Sequence, residues 1–406
     1  MTLKIAFRNI LRQKRRTILT ALAMVVGFTL SSVFIGWADG AYSGVIEMFT
    51  RNRMGHIQVH REGYLDKPSF YKTIDDYELI GKTIQNVKGV EAWTPRLYSA
   101  GLGSVGEKSS AVRIIGIDVE REIAATRFNK KIIAGRSFSK GSVREAIIGK
   151  GLAKILKVSD VVGQEIVLLS QGADGSIAND SYALIGIAES GNDATDRMAC
   201  YLNIQDAQEL LVLEGRAHEI VVIVSKIGRV GKITKAIEMN LGDPTLDVAP
   251  WQEVAKSFYR AMQADRRGDF ISRIIIMLIV AVGVLNTVLM SVLERTREYG
   301  MLKAIGTKPR QIFWLVICEV NIISLFSIAV GALLGVLINY LLSIYGVTFS
   351  QGFTYGGIEF KTMYAEVNAR CLYIPAITVT LSATVVALFP ALKAARIMPA
   401  KAMRTH

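Results

Sequence analysis

Residues 294–306 read ERTREYGMLKAIG, a charged stretch set between two apolar runs, Phe270–Leu293 (FISRIIIMLIVAVGVLNTVLMSVL) and Phe313–Leu342. A hydrocarbon core of ~30 Å is crossed by ~20 apolar residues in helical form, so both runs are long enough to span a bilayer. The basic stretch between them is expected on the cytoplasmic side, because Lys and Arg resist translocation. Such a compact, helix-forming connector has two readings of about equal weight. It is either a solvated turn that fixes topology or a surface offered to a cytoplasmic partner.

Two further apolar runs, Thr17–Trp37 and Leu372–Leu392, bring the expected spans to four. Basic residues gather in three places: Lys4, Arg8, Arg12, Lys14, Arg15 and Arg16 before the first span; Arg295, Arg297, Lys303, Lys308 and Arg310 between the second and third; Lys393, Arg396, Lys401 and Arg404 after the fourth. The segment from Ser343 to Arg370 carries only Lys361 and Arg370. With four spans, all three clusters fall on one side, so both termini are expected in the cytoplasm of a multi-pass inner-membrane protein. The first run exceeds a 7–15-residue signal-peptide core and lacks a convincing A-x-A site, which favours an uncleaved anchor. Before it, Leu3, Phe7, Ile10 and Leu11 share one helical face and Lys4, Arg8 and Arg12 another, the pattern of a helix lying on the membrane surface.

The composition agrees. Of 406 residues, 51% are hydrophobic while the formal net charge is +13. Soluble proteins rarely combine the two, and the basic residues sit beside apolar spans instead of interleaving with aromatics, which argues against nucleic-acid binding. Cys200, Cys318 and Cys371 form no disulfide framework.

About 220 residues separate the first two spans, enough for one large or two small globular units. His56–Val59, Ala111–Ile117, Glu165–Ser170, Tyr182–Ile187 and Ile220–Ser225 read as strands. Gly151–Leu156, Ile204–Leu213 and Val230–Leu241 read as helices. The expected fold class is four transmembrane helices plus an α+β extracytoplasmic domain between the first two. The expected divisions are 1–16, a surface helix; 17–42, the first span and its stalk; 43–250, the domain; 251–269, a stalk helix with Trp251, Val254, Ala255, Phe258 and Met262 on one stripe; and 270–406, the remaining spans.

No catalytic grouping stands out. Gly101, Gly103 and Gly106 spell GxGxxG but precede a strand-like run, so a hairpin loop is expected there in place of a nucleotide site. No GxxxxGK[ST] occurs in the sequence. His56 and His60 lie too far apart along a strand to share one metal ion.

Within the apolar spans, Glu319 is the one acid and Asn286 another polar candidate. A buried charge in a membrane is costly, so Glu319 is expected to snorkel or to pair with Arg310 or a neighbouring chain, a structural role more than a proton relay. Ser327, Gly331 and Gly335 recur every four residues, a spacing that lets a second helix approach closely; glycines facing lipid are the alternative.

ERTREYGMLKAIGTKPRQI (294–312), Glu319, the Gly331/Gly335 pair and FPALKAARIMPAKAMR (389–404) together resemble the permease core shared by MacB-type exporters, FtsX and the lipoprotein-releasing Lol permeases. VRIIGIDVERE (112–122), AIIGKGLAKIL (146–156), VGQEIVLLS (162–170) and YLNIQDAQELL (201–211) look closer to the LolC/LolE branch. The resemblance implies a permease working by mechanotransmission, with lipoprotein release as the expected task. Small-molecule or peptide efflux, or an FtsX-like scaffold regulating a cell-wall hydrolase, are the alternatives. It also implies that ATP and Mg are bound by a separate cytoplasmic ABC ATPase dimer and that this chain is not itself an enzyme. The other implied partners are a second permease copy or paralogue, membrane lipids and a periplasmic chaperone or adaptor. Glu294, Arg295, Arg297, Glu298, Gly300, Lys303 and Gly306 are the expected coupling residues.

Overall fold

The computed structural model describes residues 2–12, 14–139, 141, 143–158, 163–355 and 358–398, with the side chains of 2–5, 11, 16, 280, 351–355 and 358–361 excepted. The side chains of Leu3, Lys4, Leu11, Arg16 and Lys361, and the whole of Lys401 and Arg404, therefore lie outside the described residues. The chain divides into two compact units, one of residues 1–44, 262–350 and 361–406 and the other of 45–261 and 351–360.

Helix α1 (Thr2–Arg12) is followed by α2 (Lys14–Phe49), whose length reflects an unbroken run without proline. In the inserted domain come β1 (Ile57–Arg61), α3 (Tyr77–Gln85), β2 (Val90–Val105), β3 (Lys108–Ile117), α4 (Val119–Thr126), β4 (Ile132–Gly135), β5 (Glu145–Gly149) and α5 (Lys150–Ile155). Then follow β6 (Glu165–Gln171), β7 (Ile177–Ala188), α6 (Asp193–Asp196), β8 (Ala199–Asn203), α7 (Ile204–Leu211), β9 (Glu219–Val224), α8 (Val230–Leu241), β10 (Leu246–Pro250) and α9 (Trp251–Val254). One mixed ten-stranded sheet results, in the order β10-β1-β9-β2-β3-β8-β5-β7-β4, with β6 pairing β2 and β7. Every residue of β9 is buried, as befits EIVVIV near the middle of such a sheet.

All five expected strands and three expected helices are present. Strands β2, β4, β5, β8 and β10 are not among those expected from the sequence. In β2, VEAWTPRLYSAGLGSV has neither clean alternation nor a β-branched run. The GxGxxG glycines also differ from expectation: Gly101 and Gly103 lie inside β2, and only Gly106 (φ +57°) sits in the turn to β3. At Gly101 a Cβ would stand 2.4 Å from the Leu169 carbonyl oxygen, so glycine admits β6 against β2.

The stripe expected over residues 251–262 is present. Trp251, Ala255, Phe258 and Met262 are buried while Val254 is half-buried. Phe258 stacks on Phe49 at a centroid distance of 3.8 Å.

From there α10 (Lys256–Glu294) continues, then α11 (Thr296–Ala304), α12 (Pro309–Tyr345), the hairpin β11 (Val347–Tyr355) and β12 (Ile358–Met363), and α13 (Arg370–Arg396). Among the described residues, four helices, α2, α10, α12 and α13, are long and apolar enough to cross a membrane. Their shared core includes Met24, Phe28, Val284, Val288, Ile312, Val316, Val320, Ala383, Ala387 and Ala391. The alanine column of α13 allows α12 to approach closely where lipid supplies no hydrophobic drive for association.

Candidate functional site: the connector helix and its anchors

The connector is a helix, α11, set off at both ends by local chain geometry. Arg295 leaves helical dihedrals (φ −92°, ψ 12°), and Gly306 (φ +100°) closes the other end in a region that disfavours any Cβ. Pro309 then starts α12, with the Lys308 amide donating to Gln311 Oε1 at 2.9 Å. Glu294 belongs to α10, so it and Glu298 lie on different helices.

Arg295 was expected among the partner-facing residues. Instead it is 5% exposed and turned into the helix bundle. Its Nη1 donates to both oxygens of Glu319, at 3.0 and 2.9 Å, and its Nε donates to Glu298 Oε2 at 2.9 Å. Its guanidinium lies 5.2 Å from the ring centroid of the buried Tyr299. Glu319 also accepts from Asn9 Nδ2 at 2.7 Å. Within the chain, the basic partner of Glu319 is thus Arg295 in place of the expected Arg310. A carboxylate buried beside Val292, Val316 and Val320 would be costly alone, and the arginine and amide offset that cost. One cluster therefore joins α1, the head of α11 and α12.

At the tail of α11, Lys303 Nζ donates to the carbonyl oxygens of Ala395 and Ile397, at 2.6 and 2.8 Å. Carbonyls at a helix C-terminus lack intrahelical partners, so an ammonium there satisfies them and complements the dipole of α13. Gly300 is buried, while Glu294, Arg297, Met301, Ala304, Ile305 and Gly306 are exposed. The connector thus has an anchored face and a bare one, and the bare one presents Met301 and Ile305 beside Arg297.

The small-residue row of α12 lies against α2. Ser327 Oγ donates to the Ala21 carbonyl at 3.2 Å, a Cβ on Gly331 would meet Phe28 at 2.9 Å, and one on Gly335 would meet Ser32 Oγ at 2.6 Å. The row runs one step further than the sequence suggested. Asn339 is fully buried, donates to the Ser32 carbonyl at 3.1 Å and occupies the place a side chain at Gly36 would need. Its spacing from Gly335 carried that signal, but an asparagine does not read as a small residue. Asn286 is exposed on α10, apart from Glu319.

Residues 17–239 match the MacB-like periplasmic core domain and residues 270–399 the FtsX-like permease C-terminal domain. The chain belongs to the MacB/FtsX superfamily of ABC transporter permeases. Its extracytoplasmic α+β domain is the insertion between the first and second membrane helices. It is 25% identical to an uncharacterised ABC transporter permease of Methanocaldococcus jannaschii over 82% of each chain. It is 23% identical to the macrolide export ATP-binding/permease protein MacB of Campylobacter jejuni, over 98% of this chain and 60% of that one. It is 21% identical to the lipoprotein-releasing system transmembrane protein LolC of Neisseria meningitidis, over 83% of this chain and 81% of that one. The chain thus spans well under two thirds of the MacB relative's length.

Proposed function

We propose that this permease converts ATP-driven movement of a cytoplasmic ABC ATPase dimer into movement of its extracytoplasmic domain, and that the connector α11 is where the movement enters. The observation carrying this reading is the double anchoring of α11, by Arg295 to Glu319 and by Lys303 to the end of α13. A push on the exposed Arg297, Met301 and Ile305 would reach α1, α12 and α13 together. Arg295 and Lys303 thus act as anchors and Arg297 as a docking residue; Gly306 permits the sharp exit. Glu294, exposed at the foot of α10, borders the docking face.

We further propose that both termini are cytoplasmic and that the cargo is a lipoprotein taken from the outer leaflet of the inner membrane, in keeping with the LolC relatives. Export of a small molecule or peptide is the second reading, favoured by a MacB match over 98% of this chain. A second permease copy or paralogue would complete the membrane assembly, and a periplasmic chaperone or adaptor would receive the cargo.

Co-purification tests the docking face. Met301→Asp is expected to release the ATPase while the chain itself stays folded, because a charge is placed in a contact that excludes water. Retention of the ATPase at the native ratio would move the contact elsewhere. Crosslinking the reconstituted permease to labelled lipoprotein, with a macrolide as competitor, separates the cargo readings.

A further inference from the structure

Two adjoining depressions in the inserted domain have a chemistry that the mechanical reading does not use. The smaller, about 100 Å³, is lined by Arg53, Arg96, Arg113 and Lys131 with a single carboxylate, Glu122. Arg96 is already committed. It donates to Glu122 through Nε (3.2 Å) and Nη2 (2.7 Å), and its Nη1 donates to the Arg53 carbonyl at 2.6 Å and lies 3.4 Å from Glu219 Oε1. The other three cations make no ion pair among the described residues. Arg53 Nη2 donates to Thr195 Oγ1 at 3.3 Å, Lys131 Nζ donates to the Asn52 carbonyl, and the Arg113 guanidinium lies 4.5 Å from the Tyr98 ring centroid. The nearby carboxylate Asp196 is held by the Ser190 amide at 3.1 Å to each oxygen. Burial lowers the Lys131 ammonium to about 8, and burial together with the Arg113 charge lowers Arg53.

Tyr98 and Arg113 also line the larger depression, about 510 Å³, whose walls include Tyr64, Phe70, Tyr71 and His218. Its volume is that of a small-molecule site. Aromatic walls thus lead to a cluster in which the cations Arg53, Arg96, Arg113 and Lys131 outnumber the carboxylates that act on them, Glu122, Asp196 and Glu219, with the Arg113–Tyr98 pair between the two depressions.

We propose that this part of the domain binds a small amphipathic oxyanion, its phosphate or carboxylate held by Arg53, Arg113 and Lys131 and its apolar part against Tyr64, Phe70 and Tyr98. Guanidinium and ammonium groups donate charge-assisted hydrogen bonds to such an anion, and the mutual repulsion of the three cations is relieved when it enters. The site needs neither the connector nor an ATPase, so it stands or falls independently of the mechanical reading.

The test is calorimetric titration of the full chain, in nanodiscs of zwitterionic lipid, with phenyl phosphate, inorganic phosphate and phenol. Saturable 1:1 binding of phenyl phosphate is expected, at least tenfold tighter than that of inorganic phosphate, with none for phenol. Arg113→Met and Arg53→Met should each weaken it roughly tenfold, the value of one charge-assisted hydrogen bond, while Arg113→Lys loses less. Lys235→Met, on an exposed face of α8, should change nothing. Thermal melting of each variant establishes that it is folded. Absence of phenyl phosphate binding, equal binding of phenol, or full affinity in folded Arg113→Met would overturn the proposal.

Discussion

Arg295, the first residue beyond α10, is bound through one guanidinium nitrogen to both carboxylate oxygens of Glu319, 24 residues further along the chain and inside the next apolar helix. The pair replaces a flexible turn with a fixed corner. Its effect on stability is therefore asymmetric. Arg295→Met leaves Glu319 with Asn9 alone and is expected to cost about 3–5 kcal/mol, whereas the double change Arg295→Met, Glu319→Met leaves no buried charge and should cost much less. Thermal melting in detergent across the cycle checks this; additive losses would mean that the two side chains are energetically independent.

Packing of α12 on α2 makes a separate prediction. Gly335→Leu places a side chain where Ser32 Oγ already stands, 2.6 Å from the new Cβ, and overpacking of this kind costs about 1–3 kcal/mol. Gly283, whose Cβ would meet Ala23 at 3.7 Å, is the tolerant comparison for Gly283→Ala. Lowered melting for the first and unchanged melting for the second are expected. Equal melting of both variants would contradict the contact.

Acid should loosen the extracytoplasmic domain. His60 is buried between β9 and β10, bonded to Gln58 Oε1 at 2.9 Å and 3.3 Å from the His218 carbonyl, and burial lowers its imidazole to about 4. His218 is lowered by the same cause. A group with a depressed folded-state pKa stays neutral in the fold while the unfolded chain takes up its proton. Stability is therefore full above about 6.5 and falls as the pH drops toward 4, by about 3 kcal/mol for His60. Denaturant unfolding followed by tryptophan fluorescence should show this loss, and His60→Gln should reduce its steepness; an unchanged pH profile in the variant would exclude His60 as its source.

Much of this was readable beforehand because the bilayer allows so few solutions. Length and apolarity gave the four helices, and a four-residue recurrence gave the Ser327–Gly335 face. The inward turn of Arg295 was not readable. An arginine in ERTREYG looks like every other exposed basic residue of a connector, and only the break in helical dihedrals directs it to Glu319. In the domain, strands with alternating or β-branched sequence were found, while short ones such as IIAG and ACYLN depend on pairing partners distant in sequence. The cluster of Arg53, Arg96, Arg113 and Lys131 was invisible for the same reason, since four separate segments bring it together.

The most direct measurement reconstitutes the permease with its ATPase and records cargo released per ATP hydrolysed for Glu319→Gln. That change keeps the side chain's shape and Arg295's bond to Glu298 but removes the charge anchoring α11 to α12. ATPase binding and hydrolysis should persist while release per ATP falls at least tenfold. Release per ATP at the native level would contradict transmission of movement through this anchor.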